Sequence, residues 1–332
     1  MRFGLTLPHY GFSLPSGEIR VADAVGWAVR AEELGFDSVW ISDHFFYSFS
    51  RYGVDSGPIA SLEPLTTLAA VAAATERVRL GSLVACAPFR HPALLAKAIA
   101  SLDRLSGSRL EVGLGAGWLQ EEFEAFGYRF GTAGERFAVL GDTIEAVRRL
   151  LEGGPVTVDN PTVRLDDAEI RPRPERVPPI WLGGKGGPRL LGLAARSADG
   201  WNTVWRTSPT VYASKVEDVR RACERAGRDP ATFRRSVGLY SLIGEDAAAA
   251  RAAFDRGMAA APGDAMAGDD LDSWRADTLS GIPDEVLERV AEFEDLGVEE
   301  LIVAPWVLPF AIHEPEQVDL FAERVIGPLR GR

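Results

Sequence analysis

The chain alternates between two hydrophobic periods, and that alternation constrains its fold more than any other feature. Short runs of β-type composition are each followed by a longer stretch with apolar residues at three-and-four spacing. The strand-like runs are Arg2–Leu7, Ser38–Ile41, Val78–Val84, Leu110–Leu114, Ile180–Leu182, Gly200–Val204, Val237–Ile243 and Leu301–Ala304. The helical patterns are Ile19–Leu34, Leu62–Thr75, Ala93–Leu105, Glu135–Leu151, Arg189–Ser197, Val211–Arg225, Asp284–Leu296 and Pro315–Val325. Crossover helices force successive strands to run parallel, and eight such units are best satisfied by an α/β fold of the closed (β/α)8 TIM-barrel type. A doubly wound open sheet is the competing arrangement.

Local punctuation supports the same reading. Val21, Ala24, Val25, Ala28 and Ala31 form one apolar stripe, and Gly35 follows where a left-handed helix end is wanted. Pro283, the stripe Val286, Val290 and Phe293, and then Gly297 repeat the pattern, so the two helix-to-strand joints are copies of one design. The chain is expected to be one domain over 1–332 with insertion segments. Residues 43–61, rich in aromatics, and 244–282, with Met258, Met266 and Trp274, follow strands and are expected as pocket walls or lids. Residues 153–179 precede a strand and are expected on the far side or as an excursion.

Charge and composition remove several classes of function. Forty-eight acidic against 36 basic residues give a net charge of −12, which disfavours a general grip on nucleic acid or anionic lipid. No run of ~18 apolar residues occurs, so neither a membrane span nor a signal peptide is expected. The two cysteines, Cys86 and Cys223, offer no disulfide framework, which fits a cytoplasmic location. The four histidines show neither HxH nor HExxH spacing, so no metal is expected.

Three clusters carry chemistry. In Trp40-Ile41-Ser42-Asp43-His44-Phe45 the alternation of a strand points Trp40, Ser42 and His44 toward the barrel axis. His44 then overhangs the mouth, where an imidazole both takes and gives protons near neutral pH; a purely structural histidine is the even alternative, and Asp43 is the weaker catalytic candidate. The run Trp181-Leu182-Gly183-Gly184-Lys185-Gly186-Gly187-Pro188 leads from a strand through a glycine turn into a helix. Its exposed amides and the helix dipole suit a phosphate or carboxylate, against the plainer reading of a tight turn. The third cluster, Gly113-Leu114-Gly115-Ala116-Gly117-Trp118, departs from the dinucleotide fingerprint at Trp118 and by itself permits only close approach of a flat ligand. His9, after the first strand, is a candidate pocket residue, and Trp40, Trp118, Trp181 and Trp201 are candidate aromatic walls.

Taken in order, the phrases GFDSVWISDHF, TERVRLGSLV, FRHPALLAKAIASLDRLSGSRLEVGLGAGW, WLGGKGGPRLLGLAARSADGWN and SGIPDEVLERVAEFEDLGVEELIV resemble the bacterial luciferase-like monooxygenase superfamily. Within it the Ser42-Asp43-His44-Phe45 run is closer to the branch that uses the deazaflavin coenzyme F420 than to the FMN-dependent branch. The resemblance implies a luciferase-like TIM barrel, commonly a homodimer, that passes a hydride between F420 and a small-molecule substrate. The alternative is monooxygenation with reduced FMN and oxygen, supplied by a separate reductase. It makes His44 the residue beside the redox ring and implies a non-prolyl cis peptide at Leu83-Val84 behind that ring. Gly115 and Gly117 then lie against the cofactor, and Gly183, Gly184, Lys185 and Gly186 form the phosphate turn. The related sugar-phosphate dehydrogenases carry a glutamate where Trp118 stands, so a sugar phosphate is not the expected substrate.

Overall fold

The computed structural model describes residues 1–263 and 268–331; Met266 lies outside them. Eight parallel strands close into a barrel: β1 (Arg2–Thr6), β2 (Ser38–Ile41), β3 (Arg79–Ser82), β4 (Leu110–Gly115), β5 (Ile180–Gly183), β6 (Gly200–Trp205), β7 (Arg234–Tyr240) and β8 (Glu300–Ala304). The ring is complete because β1 pairs with β8 and β4 pairs with β5, with Val112 opposite Ile180. An open sheet is therefore ruled out. Helices α1 (Val21–Glu33), α2 (Pro64–Ala74), α3 (Pro92–Ser106), α4 (Ala133–Glu152), α5 (Pro188–Ser197), α6 (Pro209–Arg225), α7 (Pro283–Asp295) and α8 (Pro315–Phe321) surround it. The two repeated joints are alike to the hydrogen bond. Gly35 and Gly297 both take positive φ, and the next residue in each case, Phe36 or Val298, donates back to Ala31 or Phe293.

Alternation along the strands divides the core in two. Val39, Ile41, Leu80, Val112 and Leu182 face the helices, while Trp40, Trp181 and Ile302 fill the barrel interior. The interior indoles fit because the neighbouring strands present glycines to them: a Cβ on Gly81 would sit 2.1 Å from Trp40, and one on Gly200 would sit 2.5 Å from Trp181. At the strand starts their N–H groups meet buried carboxylates, Trp40 Nε1 donating to Glu300 at 3.1 Å and Trp181 Nε1 to Glu111 at 2.6 Å. Arg2, Arg79 and Arg234 neutralise the pair. Burial pushes both carboxyls up; for Glu111 the three arginines and the indole outweigh it and leave its pKa lowered, whereas Glu300 stays raised.

The excursions take different places. Residues 46–60 form a two-stranded hairpin beside the mouth. The segment before β5 folds as the hairpin Val156–Asp159 and Arg164–Ala168, whose Val156 and Leu165 join the outer core away from the mouth. The segment after β7, expected as a wall or lid, instead contributes helices Ala247–Ala260 and Leu271–Asp277, with Trp274 fully buried and stacked on Tyr240 at 5.3 Å. That contact, at the last residue of β7, packs the segment beside the mouth, where Phe254, Leu271 and Trp274 cluster with Tyr47, Phe49 and Phe310, but none of its described residues lines the cavity.

Candidate functional site

A cavity of about 210 Å³ opens at the C-terminal mouth of the barrel and runs on into a groove above β5. Its floor is built from strand ends that lack side chains. Val84, directly after β3, projects among them: a Cβ on Gly113, Gly115 or Gly183 would come within 2.9 Å or less of the Val84 side chain or its neighbouring carbonyl. Glycine is therefore required on two adjacent strands for Val84 to seat. The Leu83–Val84 peptide is cis, as the family resemblance implies, and so is Val204–Trp205 at the end of β6. Gly117 takes positive φ and leaves room for Phe123, whose ring would lie 2.5 Å from a Cβ there.

His44 and Glu122 form the polar centre of the wall. Glu122 sits on the short helix Gln120–Ala125, which brings its buried carboxylate under the end of β2. One oxygen accepts from His44 Nδ1–H at 2.8 Å and the other from the Phe45 N–H at 3.0 Å. A carboxylate only accepts, so this contact places the imidazole proton on Nδ1 and leaves Nε2 free to exchange a proton with a ligand. Sequence reasoning missed Glu122. Its only signal is its need for a partner, because it lies 78 residues from His44.

Asp43 also lines the cavity, beyond the end of β2, but its carboxylate is committed to protein partners. Its two oxygens are engaged by Arg90 and by the Cys86 N–H at 2.8 Å, and Glu63 braces Arg90 from outside. Burial opposes the Arg90 charge, and the ion pairs outweigh it and leave its pKa raised. Burial also pushes the Cys86 thiol up, which keeps it neutral beside Asp43.

The four tryptophans part company. Trp118 lines the cavity, edge-on to His44 at 5.5 Å and beneath the Arg51 guanidinium at 4.8 Å. Trp40 and Trp181 do point inward, but they lie a layer below the mouth and pack the barrel interior; neither lines the cavity. Trp201 faces outward, stacked on Tyr212 of α6 at 5.8 Å. The aromatic wall is made instead by Trp205 at the end of β6 and by Tyr10, Tyr47, Trp118 and Phe310 from segments that follow barrel strands. His9 is likewise displaced: it is fully buried behind Tyr10 and Ser42, with Nε2 2.9 Å from Ser42 Oγ.

Gly183 and Gly184 line both the cavity and the groove, and Lys185 and Arg189 line the groove, beside the start of α5. The helix opens on Gly187 and Pro188 with no side-chain cap, so its first amides face the groove unblocked. Arg136 also lines this groove, and its buried Nε has no partner in the protein. Gly186 lies beneath, its positive φ and the Trp201 ring 2.8 Å from a Cβ position excluding any side chain. Lys185 Nζ donates to the Val204 carbonyl at 2.5 Å, which ties the turn to the end of β6.

A barrel whose mouth offers a floor of one valine among glycines, a carboxylate-held histidine and an adjoining cationic groove belongs to the class that seats a planar, phosphate-bearing cofactor against a substrate. The chain belongs to the luciferase-like monooxygenase family, whose model matches residues 1–300. It is 34% identical over 224 residues to an F420-dependent glucose-6-phosphate dehydrogenase of Amycolatopsis mediterranei, covering 66% of this chain and 65% of that one. It is 33% identical over 244 residues to an F420-dependent hydroxymycolic acid dehydrogenase of Mycobacterium tuberculosis, covering 73% of this chain and 65% of that one. The chain thus spans just under two thirds of the length of each. Among solved structures it resembles monooxygenase RslO1 from Streptomyces bottropensis, with TM-score 0.76 and 27% identity over 99% of this chain and 100% of that one. Among the described residues no helix is long and apolar enough to cross a membrane, and no three His, Cys, Asp or Glu side chains are grouped as a metal site.

Proposed function

We propose that this protein is an F420-dependent oxidoreductase that moves a hydride between the deazaflavin ring and a small organic substrate. The observation that carries the reading is the His44–Glu122 pair beside a floor of Val84 and glycines: a proton-exchanging nitrogen next to a seat for a flat ring. The F420-dependent relatives support the choice of ring. Their two named substrates differ, so neither is carried over; Trp118 and the aromatic wall suit a less polar molecule than a sugar phosphate.

The residues fit the cofactor. Val84, Gly115, Gly117 and Gly183 would back the ring. Gly184, Lys185, Gly186, Arg136 and Arg189 would hold the phosphate, giving the orphaned Arg136 Nε a partner. When bound, the deazaflavin supplies the hydride acceptor or donor. His44 Nε2 takes the hydroxyl proton of an alcohol substrate, or returns it in the reverse direction. Glu122 holds the reactive tautomer and stabilises the imidazolium. Asp43, locked to Arg90 and the Cys86 amide, fixes the β2 end that carries His44. Trp118, Tyr47 and Phe310 exclude water. We read the whole chain as one such unit, working in the cytoplasm as a homodimer; the family resemblance and the exposed Phe45–Phe126 stack, centroids 4.2 Å apart, support the pairing.

Parallel titration with F420 and FMN, followed by quenching of tryptophan fluorescence, tests the assignment. Tight F420 and weak FMN binding is the expected result. The reverse moves the protein to oxygen-dependent monooxygenation with a separate reductase, a reading favoured by the likeness to RslO1. Binding of neither overturns the phosphate-turn assignment.

A further inference from the structure

Behind the cavity wall runs a hydrogen-bond chain whose polarity is fixed from its inner end. The Leu7 carbonyl, which only accepts, lies 3.0 Å from His9 Nδ1 and so holds the ring proton there. Burial keeps His9 neutral, its pKa lowered to about 3, so Nε2 carries only a lone pair. Ser42 must give its one hydrogen to that nitrogen at 2.9 Å. Its oxygen is then left to accept from the Tyr10 hydroxyl. Tyr10 and Ser42 both line the cavity, and burial raises the Tyr10 phenol well above its ordinary value, so it does not ionise. Tyr10 therefore has no hydrogen to offer a ligand, only a lone pair.

His44 presents the same polarity. Its Nδ1–H is committed to Glu122, so in the neutral ring Nε2 is an acceptor. The Tyr10 and His44 ring centroids are 6.1 Å apart on one wall. We infer that the substrate bears two hydrogen-bond donors on an otherwise apolar frame, one hydroxyl meeting His44 Nε2 and a second hydroxyl or amine meeting Tyr10 Oη. An ether or ester oxygen at either point, or a ketone oxygen at Tyr10, would set lone pair against lone pair, while a ketone at His44 is met by the imidazolium that the reaction itself forms. Resting on the oxidoreductase reading above, this makes the substrate a diol or amino alcohol and Tyr10 the residue that selects it.

The test uses ligands that cannot react. Pinacol has no hydrogen on its carbinol carbons, so it and its mono- and bis-methyl ethers can be titrated calorimetrically into the protein with and without F420. Each methylation is expected to weaken binding roughly three- to tenfold. Tyr10→Phe should abolish one of the two steps, so that pinacol binds like its mono-ether. Ser42→Ala should do more: the Tyr10 hydrogen, deprived of its acceptor, turns to the cavity, and the ethers gain on pinacol. An ether series that binds as tightly as pinacol, or a series identical in wild type and Tyr10→Phe, overturns the inference. F420 binding is read in the same titrations. Its loss overturns the proposed function, whereas a flat ether series with F420 bound overturns only the donor assignment.

Discussion

Glu122→Gln keeps the shape of the side chain and should abolish most of the catalysis. The wild-type carboxylate accepts two hydrogen bonds, from His44 Nδ1–H at 2.8 Å and from the Phe45 N–H at 3.0 Å. Glutamine has one oxygen. The Phe45 amide can only donate, so it captures that oxygen and turns the NH2 group toward His44. His44 Nδ1 must then accept, its proton moves to Nε2, and the lone pair that faces the cavity is lost. The opposite amide orientation restores the tautomer but sets the NH2 group against the Phe45 N–H, leaving two buried donors unpaired at about 1–3 kcal/mol each. At ~1.4 kcal/mol per decade this makes the productive form rarer by roughly 30-fold to 10⁴-fold, which matches the roughly 10²–10⁴ supplied by a general base. Steady-state kcat, followed by deazaflavin absorbance across pH, is expected to fall by about that factor, while F420 affinity stays within about threefold. A kcat within about fivefold of wild type would refute the tautomer argument.

Four further outcomes are expected. Arg136→Ala should weaken F420 about tenfold while leaving binding of its phosphate-free deazaflavin fragment unchanged, because Arg136 lines the groove proposed for the phosphate and its buried Nε has no partner in the protein; equal losses for both ligands would contradict this. Gly81→Ala places a Cβ 2.1 Å from Trp40 and should cost about 1–3 kcal/mol in urea unfolding, or more if the backbone cannot yield; a variant as stable as wild type would show the indole is free to move. His9, neutral when folded with a pKa near 3, takes up its proton only on unfolding, so stability falls on acidification from about pH 6.5 toward 3. The folding equilibrium should weaken up to about tenfold per pH unit on its account, and His9→Gln should flatten that slope; an unchanged pH profile would place the acid sensitivity elsewhere. Cys86 and Cys223, both buried with raised thiols, should resist iodoacetamide at about pH 8, and fast stoichiometric labelling would contradict the packing.

The barrel was legible because each strand and helix announces itself locally: apolar runs, stripes at helical spacing, and glycines such as Gly35 and Gly297 after the helix ends. His44 was legible for the same reason, since alternation from Trp40 onward fixes which side chains point inward. Depth along the barrel axis is not encoded in that alternation. Trp40 and Trp181 were expected as walls because they face inward, yet they lie a layer too low and serve to cap Glu300 and Glu111. Trp201, a candidate wall by sequence, faces away from the mouth: Gly200 faces the interior, so its neighbour faces the helices. Glu122, Tyr10 and Phe310 meet only after the chain has closed, and no window of sequence joins them. The segment after β7 does reach the mouth, where it starts, but its Tyr240–Trp274 stack seats it behind the aromatic rim rather than in the cavity lining.

The seat of Val84 has a consequence for how such a chain can diverge. Gly113, Gly115 and Gly183 already carry the smallest residue there is, so every substitution at these positions adds atoms toward Val84 or the backbone beside it. The rim is the opposite case. Tyr10, Tyr47, Trp118 and Phe310 each stand on a separate segment that connects barrel elements and can be exchanged one at a time without touching a strand of the barrel. Inherited variation is thereby steered: a descendant acquires a new substrate by rewriting its rim, while a change beneath the ring can only subtract from what the ancestor held.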